Sequence, residues 1–156
     1  MQRTTKANSS TFLSMLGLAC EGTLALGSSH AAALDNENCD RESGNLCFEA
    51  IDGHEIVFNA GVSFTTKKGV LTSQADGNLV LKDETGRVRW STNTQRTGYY
   101  SVWQEDGNLV VYDRRQRPVW ASNTGGIGAY LVLQTDGNLV IYNASDAPIW
   151  ATDTGH

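Results

Sequence analysis

The chain has 156 residues, with 12 Lys and Arg against 17 Asp and Glu, and a formal net charge of −5. This length predicts one domain, with or without a processed leader, and leaves no room for a second catalytic domain. The acidic balance argues against a nucleic-acid partner, because phosphate binding depends on clustered cations.

Residues 1–33 are predicted to be a secretory signal peptide. Arg3 and Lys6 precede a stretch of largely apolar or small residues that ends in three alanines, and cleavage is predicted before Leu34. The mature chain then carries 10 cations and 16 anions, a net charge of −6, and is secreted. The alternative is lipid anchoring at Cys20. The apolar run is too short and too interrupted to span a membrane.

The next segment, residues 34–47, carries the two remaining cysteines, Cys39 and Cys47. An even pair in an oxidising compartment predicts a short-loop disulfide that holds this segment in place. Two free thiols are the alternative. Nothing else in the segment indicates a function.

Residues 48–156 contain three copies of a 30-residue unit. The sequence QADGNLVLK begins at Gln74, QEDGNLVVY at Gln104 and QTDGNLVIY at Gln134. A tryptophan followed by small and hydroxylated residues keeps the same period at positions 90, 120 and 150. Two sequence features that share the same 30-residue period predict a repeat architecture.

Each unit consists of short β-rich runs separated by turn residues, without helical periodicity. A unit of this size cannot bury its own apolar face. The predicted fold is therefore all-β, with three pseudo-threefold-related antiparallel sheets of about four strands each around one shared core. Trp90, Trp120 and Trp150 are predicted to meet in that core, and the alternative for these rings is a sugar-stacking platform.

The repeated Asp-Gly-Asn triplet lies between two apolar β runs and predicts a hairpin, because Gly and Asn both tolerate positive φ. Eight residues of straight strand would span about 26 Å, too far for their polar groups to contact one small ligand. A hairpin instead brings Gln104 across from the region of Val110 and Tyr112, with Asp106 and Asn108 at the bend. The donors and acceptors of such a pocket suit a polyol.

The pattern Q-x-D-x-N-x-V-x-Y resembles the sugar-binding signature of the bulb-type, monocot mannose-binding (snowdrop-like) lectins. The resemblance implies a β-prism II fold, calcium-independent binding of α-mannose in mannose-containing glycans, and homodimers that exchange C-terminal strands. It assigns the axial 2-hydroxyl to Asp and Asn, the 3-hydroxyl to Gln, the 4-hydroxyl to Tyr and the ring carbons to Val. The predicted carbohydrate-binding residues are Gln104, Asp106, Asn108, Val110, Tyr112, Gln134, Asp136, Asn138, Val140 and Tyr142.

The first unit departs from this pattern, because Lys82 stands where the signature has Tyr. Lysine lacks a flat rigid wall, and fixing its side chain costs up to about 2 kcal/mol of entropy, so we expect weak or altered binding there. Relatives commonly carry a cysteine where this chain has Gly77, so the disulfide has moved or the chain is closer to bacterial-type relatives. The degenerate site comprises Gln74, Asp76, Asn78, Val80 and Lys82.

Two hypotheses from different classes remain. One is a lectin that engages glycan-bearing surfaces through several sites, and the other is a sugar-inert β-prism that acts through protein contacts, or a lectin-like bacterial antagonist. No enzyme is predicted, because a catalytic acid pair is normally unique whereas these Asp residues recur. No cofactor or metal is predicted, since the turn lacks the further carboxylates of a calcium loop. Tyr99, Tyr100 and Trp103 either widen the site beside Gln104 into a groove or pack on the sheet.

Overall fold

The computed structural model describes residues 43–50 and 53–156, and the predicted signal peptide and Cys39 lie outside the described residues. The described chain forms twelve β-strands. In chain order they are β1 (Leu46–Phe48), β2 (Ile56–Phe58), β3 (Ser63–Thr65), β4 (Gly69–Ser73), β5 (Leu79–Asp83), β6 (Val88–Ser91), β7 (Tyr100–Trp103), β8 (Leu109–Tyr112), β9 (Pro118–Ala121), β10 (Tyr130–Leu133), β11 (Leu139–Tyr142) and β12 (Pro148–Ala151).

The strands form three four-stranded sheets with the orders β3-β4-β5-β6, β2-β7-β8-β9 and β1-β10-β11-β12, here called the first, second and third sheets. All pairings are antiparallel. Each sheet takes three strands from one 30-residue unit and its fourth from the stretch before the repeats. The predicted all-β architecture of three four-stranded sheets is confirmed. Strand β1 straddles the predicted start of the lectin domain at residue 48.

The core forms where the inner faces of the three sheets meet. Because side chains alternate along a strand, every second residue of the central strands points inward. The equivalent residues of the three units are all at most 1% exposed, and each contributes about 1.5–3 kcal/mol through burial of its apolar surface. They are Leu79, Leu81, Leu109, Val111, Leu139 and Ile141.

Two aromatic triplets complete this core. Trp90, Trp120 and Trp150 pack edge to face, with ring centroids 5.5–6.0 Å apart. Three phenylalanines from β1, β2 and β3 pack in the same way at 4.8–5.3 Å. The tryptophans meet as predicted, but they are only partly buried and pack against the core rather than filling it. Since their rings contact one another and the core, the structure favours packing over a sugar platform for them.

The three units are locked together at the Asp-Gly-Asn turns. A Cβ on the turn glycine would lie 1.8 Å from the carbonyl oxygen of Gly98 in the first unit and 1.9 Å from that of Gly128 in the second. In the third unit it would lie 2.8 Å from the carbonyl oxygen of Lys68, which precedes β4 and so closes the ring of units. The contact at Gly77 also leaves no space for a side chain at this position.

Candidate functional site

The predicted hairpins are present in all three units and have the same hydrogen bonds. In the second unit the N–H of Gln104 donates to the carbonyl of Asn108 at 2.9 Å, and that of Gly107 donates to the carbonyl of Gln104 at 3.0 Å. The carboxylate of Asp106 accepts from the N–H of Asn108 at 3.0 Å. Gly107 has a φ of 81°, whereas Asn108 is not among the residues with positive φ. Only the glycine therefore needs the left-handed conformation.

The asparagine of each turn is committed to the fold through its Oδ1 atom. In the second unit this oxygen accepts from Ser122 Oγ at 3.0 Å and from the N–H of Thr124 at 3.3 Å. The Thr124 hydroxyl in turn donates to the carbonyl of Gly107 at 2.6 Å. Equivalent bonds surround the other two turns, from Thr92 and Thr94 to Asn78 and from Thr152 and Thr154 to Asn138.

Only the Nδ2 group of each turn asparagine is thus left to donate to a ligand. Sequence reasoning placed Asn108 and Asn138 in the site but missed this second role. The signal was the hydroxylated residues after each tryptophan, which repeat with the same 30-residue period as the turn.

The structure brings the predicted Gln and Tyr of the second and third units together. Gln104 Nε2 donates to Tyr112 Oη at 3.0 Å, and Gln134 Nε2 donates to Tyr142 Oη at 3.0 Å. These side chains lie beside the turn on the outer face of each sheet, away from the core. Gln104 Nε2 also donates to Glu55, at 3.3 Å.

Each of these tyrosines is backed by a second tyrosine on the neighbouring strand. Tyr100 pairs with Tyr112, and their rings stack at 5.5 Å with an interplanar angle of 21°. Tyr130 pairs with Tyr142, and their rings stack at 5.2 Å and 13°. We call each pair a tyrosine wall. Tyr130 was missed from sequence, although Tyr100 and Tyr130 precede their glutamines by the same four residues.

Burial raises the pKa of Tyr142 above its ordinary value, and it does the same for Tyr100, to which the neighbouring Tyr112 and the negative charges of Glu55 and Asp113 add. Both hydroxyls are therefore neutral near pH 7. A neutral phenol can donate one hydrogen bond and also accept one, which suits a hydroxylated ligand.

The remaining predicted residues occupy the floor and rim of these sites. Val110 and Val140 are each 3% exposed, so they offer a ligand only a small patch of methyl surface. Asp106 and Asp136 are exposed at the turns. Of the residues considered for a wider groove, Trp103 is fully buried in the core, while Tyr99 and Tyr100 lie on the outer side of the second sheet.

The first sheet has the turn but no tyrosine wall. Val70 pairs with Lys82 where the other sheets have two tyrosines. The ammonium group of Lys82 makes no ion pair or hydrogen bond with any residue in the described part of the chain. Beside it, the hydroxyls of Ser63 and Thr72 bond to each other at 2.9 Å. The predicted degenerate site is thus assembled at its turn and open at its side.

No group of three or more His, Cys, Asp or Glu side chains suited to holding a metal occurs within residues 43–50 and 53–156. Over the same residues, no helix has the length and apolar character needed to cross a membrane.

No model of a protein family matches the chain, and no curated protein does. Solved structures match it. A lectin of Gastrodia elata, from a set described as novel monomeric monocot mannose-binding lectins, is 36% identical with a TM-score of 0.59, over 73% of this chain and 100% of that one. The mannose-specific agglutinin of snowdrop (Galanthus nivalis), complexed with methyl-α-D-mannoside, is 36% identical with a TM-score of 0.52, over 72% and 98%.

A lectin of Allium sativum is 35% identical with a TM-score of 0.53, over 69% of this chain and 97% of that one. These relatives are lectins, which bind carbohydrate without enzymatic activity. Because sequence identity above one third extends over nearly the whole of each relative and the three-sheet fold is the same, the chain belongs to the monocot mannose-binding, bulb-type lectin family.

Proposed function

We propose that this lectin binds α-mannose-type sugars without a metal ion, at the outer faces of the second and third sheets. The observation that carries the proposal is the assembly of two equivalent polar sets, each closed by a Gln–Tyr hydrogen bond of 3.0 Å. A hairpin requires only the Asp-Gly-Asn triplet. The glutamine side chain and the tyrosine wall have no part in the turn, so binding accounts for them better than folding does.

The groups left free at each turn complement a vicinal diol. The second carboxylate oxygen of Asp106 can accept from one hydroxyl, while Asn108 Nδ2 donates to the same or the next one. Gln104 Oε1 and Tyr112 Oη add further partners on the opposite side of the pocket. All these interactions are hydrogen bonds, so the proposed site requires no metal. Relatives complexed with mannosides support mannose as the sugar.

We propose that useful strength comes from multivalence. A single sugar ring on an open turn buries little surface and binds weakly, whereas two sites on one chain that engage the same glycan-bearing surface gain about 10²–10⁴ in avidity. Exchange of β12 between two copies would keep its pairing with β11 and double the number of sites. Analytical ultracentrifugation of the mature chain tests this homodimer, and a monomer at all concentrations contradicts it.

Secretion is the remaining part of the proposal. It is supported by the charged, apolar and small-residue pattern of residues 1–33 and by the Cys39 and Cys47 pair, which an oxidising compartment would join. Expression with the leader, followed by N-terminal sequencing of the exported protein, should give a first residue at Leu34. Retention of residues 1–33, or free thiols at both cysteines, would contradict this part.

The central experiment is calorimetric titration of residues 34–156 with methyl-α-mannoside, with and without EDTA. We expect two sugars per chain and no effect of EDTA. The test variant is Asn108→Asp with Asn138→Asp, which keeps the Oδ acceptor that the fold uses and removes the amide donor. Each site then loses one hydrogen bond that an uncharged amide donates to the sugar. The affinity for methyl-α-mannoside should therefore fall at least about tenfold, or about 1.4 kcal/mol.

The matched control is Asn78→Asp, the same change at the turn that lacks the tyrosine wall. A second test pair, Gln104→Ala with Gln134→Ala, leaves the turn bonds intact and should also abolish most binding. A folded protein that binds no mannoside would refute the proposal in favour of the sugar-inert scaffold. Binding that EDTA removes would refute its metal-free part.

A further inference from the structure

A cleft lies beside the second sheet's site and shares Tyr100 with it. Its volume is about 460 Å³. Pockets for small ligands are typically about 300–1,000 Å³, so this cleft can hold a sugar ring. It is lined by Val57, Asn59, Ala60, Tyr99, Tyr100 and Gln116.

The cleft is continuous with the sugar site. Glu55, directly before β2, accepts the hydrogen bond from Gln104, and Val57 and Asn59 follow on the same face of the chain at two-residue steps. Tyr100 forms one side of the cleft and stacks on Tyr112 of the site. A ligand held at the turn can therefore extend into the cleft along the outer face of the sheet.

On the third sheet, the position equivalent to this cleft is closed by a hydrogen bond. There the hydroxyl of Tyr130 donates to the carboxylate of Asp146, and Tyr130 is 3% exposed. In the second sheet Gln116 stands at the position of Asp146, and the Tyr100 hydroxyl makes no hydrogen bond with any described residue. Gln116 and Asp146 both have a φ of 60°, and Gly86 has 84°, so the backbone of this turn is alike in the three units and only the side chains differ.

A flat apolar surface borders the cleft. Tyr99 is 42% exposed, and the guanidinium of Arg114 lies 4.3 Å from the centroid of its ring. This contact restrains the ring, which still has exposed surface on which a ligand can pack. The third unit has Ala129 and Ala144 at the same positions, so it lacks both the aromatic ring and the guanidinium.

We propose that this cleft is a second subsite, which holds the next ring of a mannose oligosaccharide whose end ring occupies the site at Gln104 and Tyr112. The inference rests on the proposed function. The amides of Asn59 and Gln116 bind hydroxyls of the second ring, and Tyr99 packs against its C–H face. The second sheet thus selects extended glycans, while the third sheet takes a single ring.

The test isolates the second sheet with Gln134→Ala and Tyr142→Phe, which disable the third site without touching its turn. This background is titrated with methyl-α-mannoside and with the α1,2-, α1,3- and α1,6-linked dimannosides. At least one dimannoside should bind about tenfold more tightly than the monosaccharide, a difference of about 1.4 kcal/mol. Adding Tyr99→Ala with Gln116→Asp copies the third unit and should remove this gain while leaving methyl-α-mannoside affinity unchanged. Arg115→Ala, an exposed change on the same hairpin outside the cleft, should keep the gain.

The outcomes separate the two proposals. If no dimannoside exceeds the monosaccharide, or if the Tyr99 and Gln116 variant keeps the gain, the subsite is refuted and the proposed function stands. If the folded background protein binds none of the four sugars, the proposed function fails at the second sheet and the subsite fails with it.

Discussion

The three sheets have the same Asp-Gly-Asn turn, but the side chains on their outer faces differ. In all three units the turn asparagine accepts from a hydroxyl and from a backbone N–H. The tyrosine wall is present only in the second and third, while the first has Val70 and Lys82.

This difference separates what the fold requires from what the sugar requires. The turn joins one unit to the next, so each unit must keep it whether or not it binds. The tyrosines of the wall lie on the outer face and stack on each other within one sheet, so the wall can be lost from one sheet at little cost in stability. Asp-Gly-Asn alone is therefore weak evidence of binding, and Gln with the stacked tyrosines is the better indicator.

The largest expected effect comes from breaking the shared turn. Gly77→Ala would place a Cβ 1.8 Å from the Gly98 carbonyl oxygen, at a φ of 88°. Overpacking and left-handed strain together should lower the free energy of unfolding by about 3 kcal/mol or more. Urea denaturation followed by tryptophan fluorescence measures this change.

Gly86→Ala is the control for strain alone. Its φ is 84°, but no atom lies within 4 Å of the added Cβ, so the cost should be about 1 kcal/mol. Gly137→Ala, with its nearest contact at 2.8 Å, should fall between the two. Equal losses for Gly77→Ala and Gly86→Ala would show that the contact between units contributes little.

The second prediction rebuilds the missing wall. Val70→Tyr with Lys82→Tyr places two tyrosines at paired positions on the outer face of the first sheet. Because Gln74, Asp76 and Asn78 are already in place, the number of methyl-α-mannosides bound per chain should rise from two to three. The new rings lie on a partly exposed surface, so stability should change by only about 0.5 kcal/mol.

Titration calorimetry gives the stoichiometry, and Lys82→Tyr alone is the informative control. Without a stacked partner at residue 70, this single tyrosine is less rigidly held and should give weaker binding at the first sheet than the double variant does. If the double variant folds and still binds two sugars, the wall is not what the first site lacks.

The period of the sequence predicted the architecture because each unit repeats the same local pattern, and three equivalent sheets can share one core. The origin of the fourth strands was not predictable. Strands β1, β2 and β3 are three residues each. The partners of β1 and β2 lie far along the chain, as for Leu46 with Leu133, whereas β3 pairs with the neighbouring β4. Such short runs carry too little periodicity to assign a partner.

The residues of the site that belong to the motif of one hairpin could be predicted from sequence. The contacts that depend on the pairing register of neighbouring strands could not. The turn places Gln104 and Tyr112 on the two arms of one hairpin, and the Gln104 side chain reaches along the sheet to Tyr112, which itself stands opposite Tyr100. The role of Tyr100 depends on which residue of β7 faces Tyr112, and the second role of Asn108 depends on partners 14 to 16 residues away. Those distances are set by tertiary packing, which the motif does not contain.

The smallest expected effect concerns the hairpins at the other end of the sheets, where the third unit differs. Asp83 accepts from the N–H groups of Thr85 and Arg87, and Asp113 accepts similarly from residues 115 and 117. In the third unit Asn143 makes the equivalent bonds without a charge. The turn bonds that Asp83 and Asp113 accept should therefore be sensitive to acid, whereas those that Asn143 accepts should not.

The hydrogen bond from the Thr85 hydroxyl is the main cause of the lowered pKa of Asp83, and the backbone N–H of Arg117 is the main cause for Asp113. A carboxyl whose folded pKa lies below its unfolded value of about 4 stabilises the protein above that pH. This contribution is lost as pH falls through the folded pKa. Stability should thus decline below about pH 4, and Asp83→Asn with Asp113→Asn should flatten that decline.

Urea midpoints measured from pH 2.5 to pH 7 test this comparison of hairpins. The double Asn variant copies Asn143, so it should lose little stability at pH 7, where the uncharged amide oxygen still accepts both N–H groups. It should gain relative to the parent at the acid end, because no carboxylate has to be protonated there. If the urea midpoints of the variant and the parent instead differ by the same amount at every pH, the two charges do not contribute to acid sensitivity. Other carboxylates would then govern it.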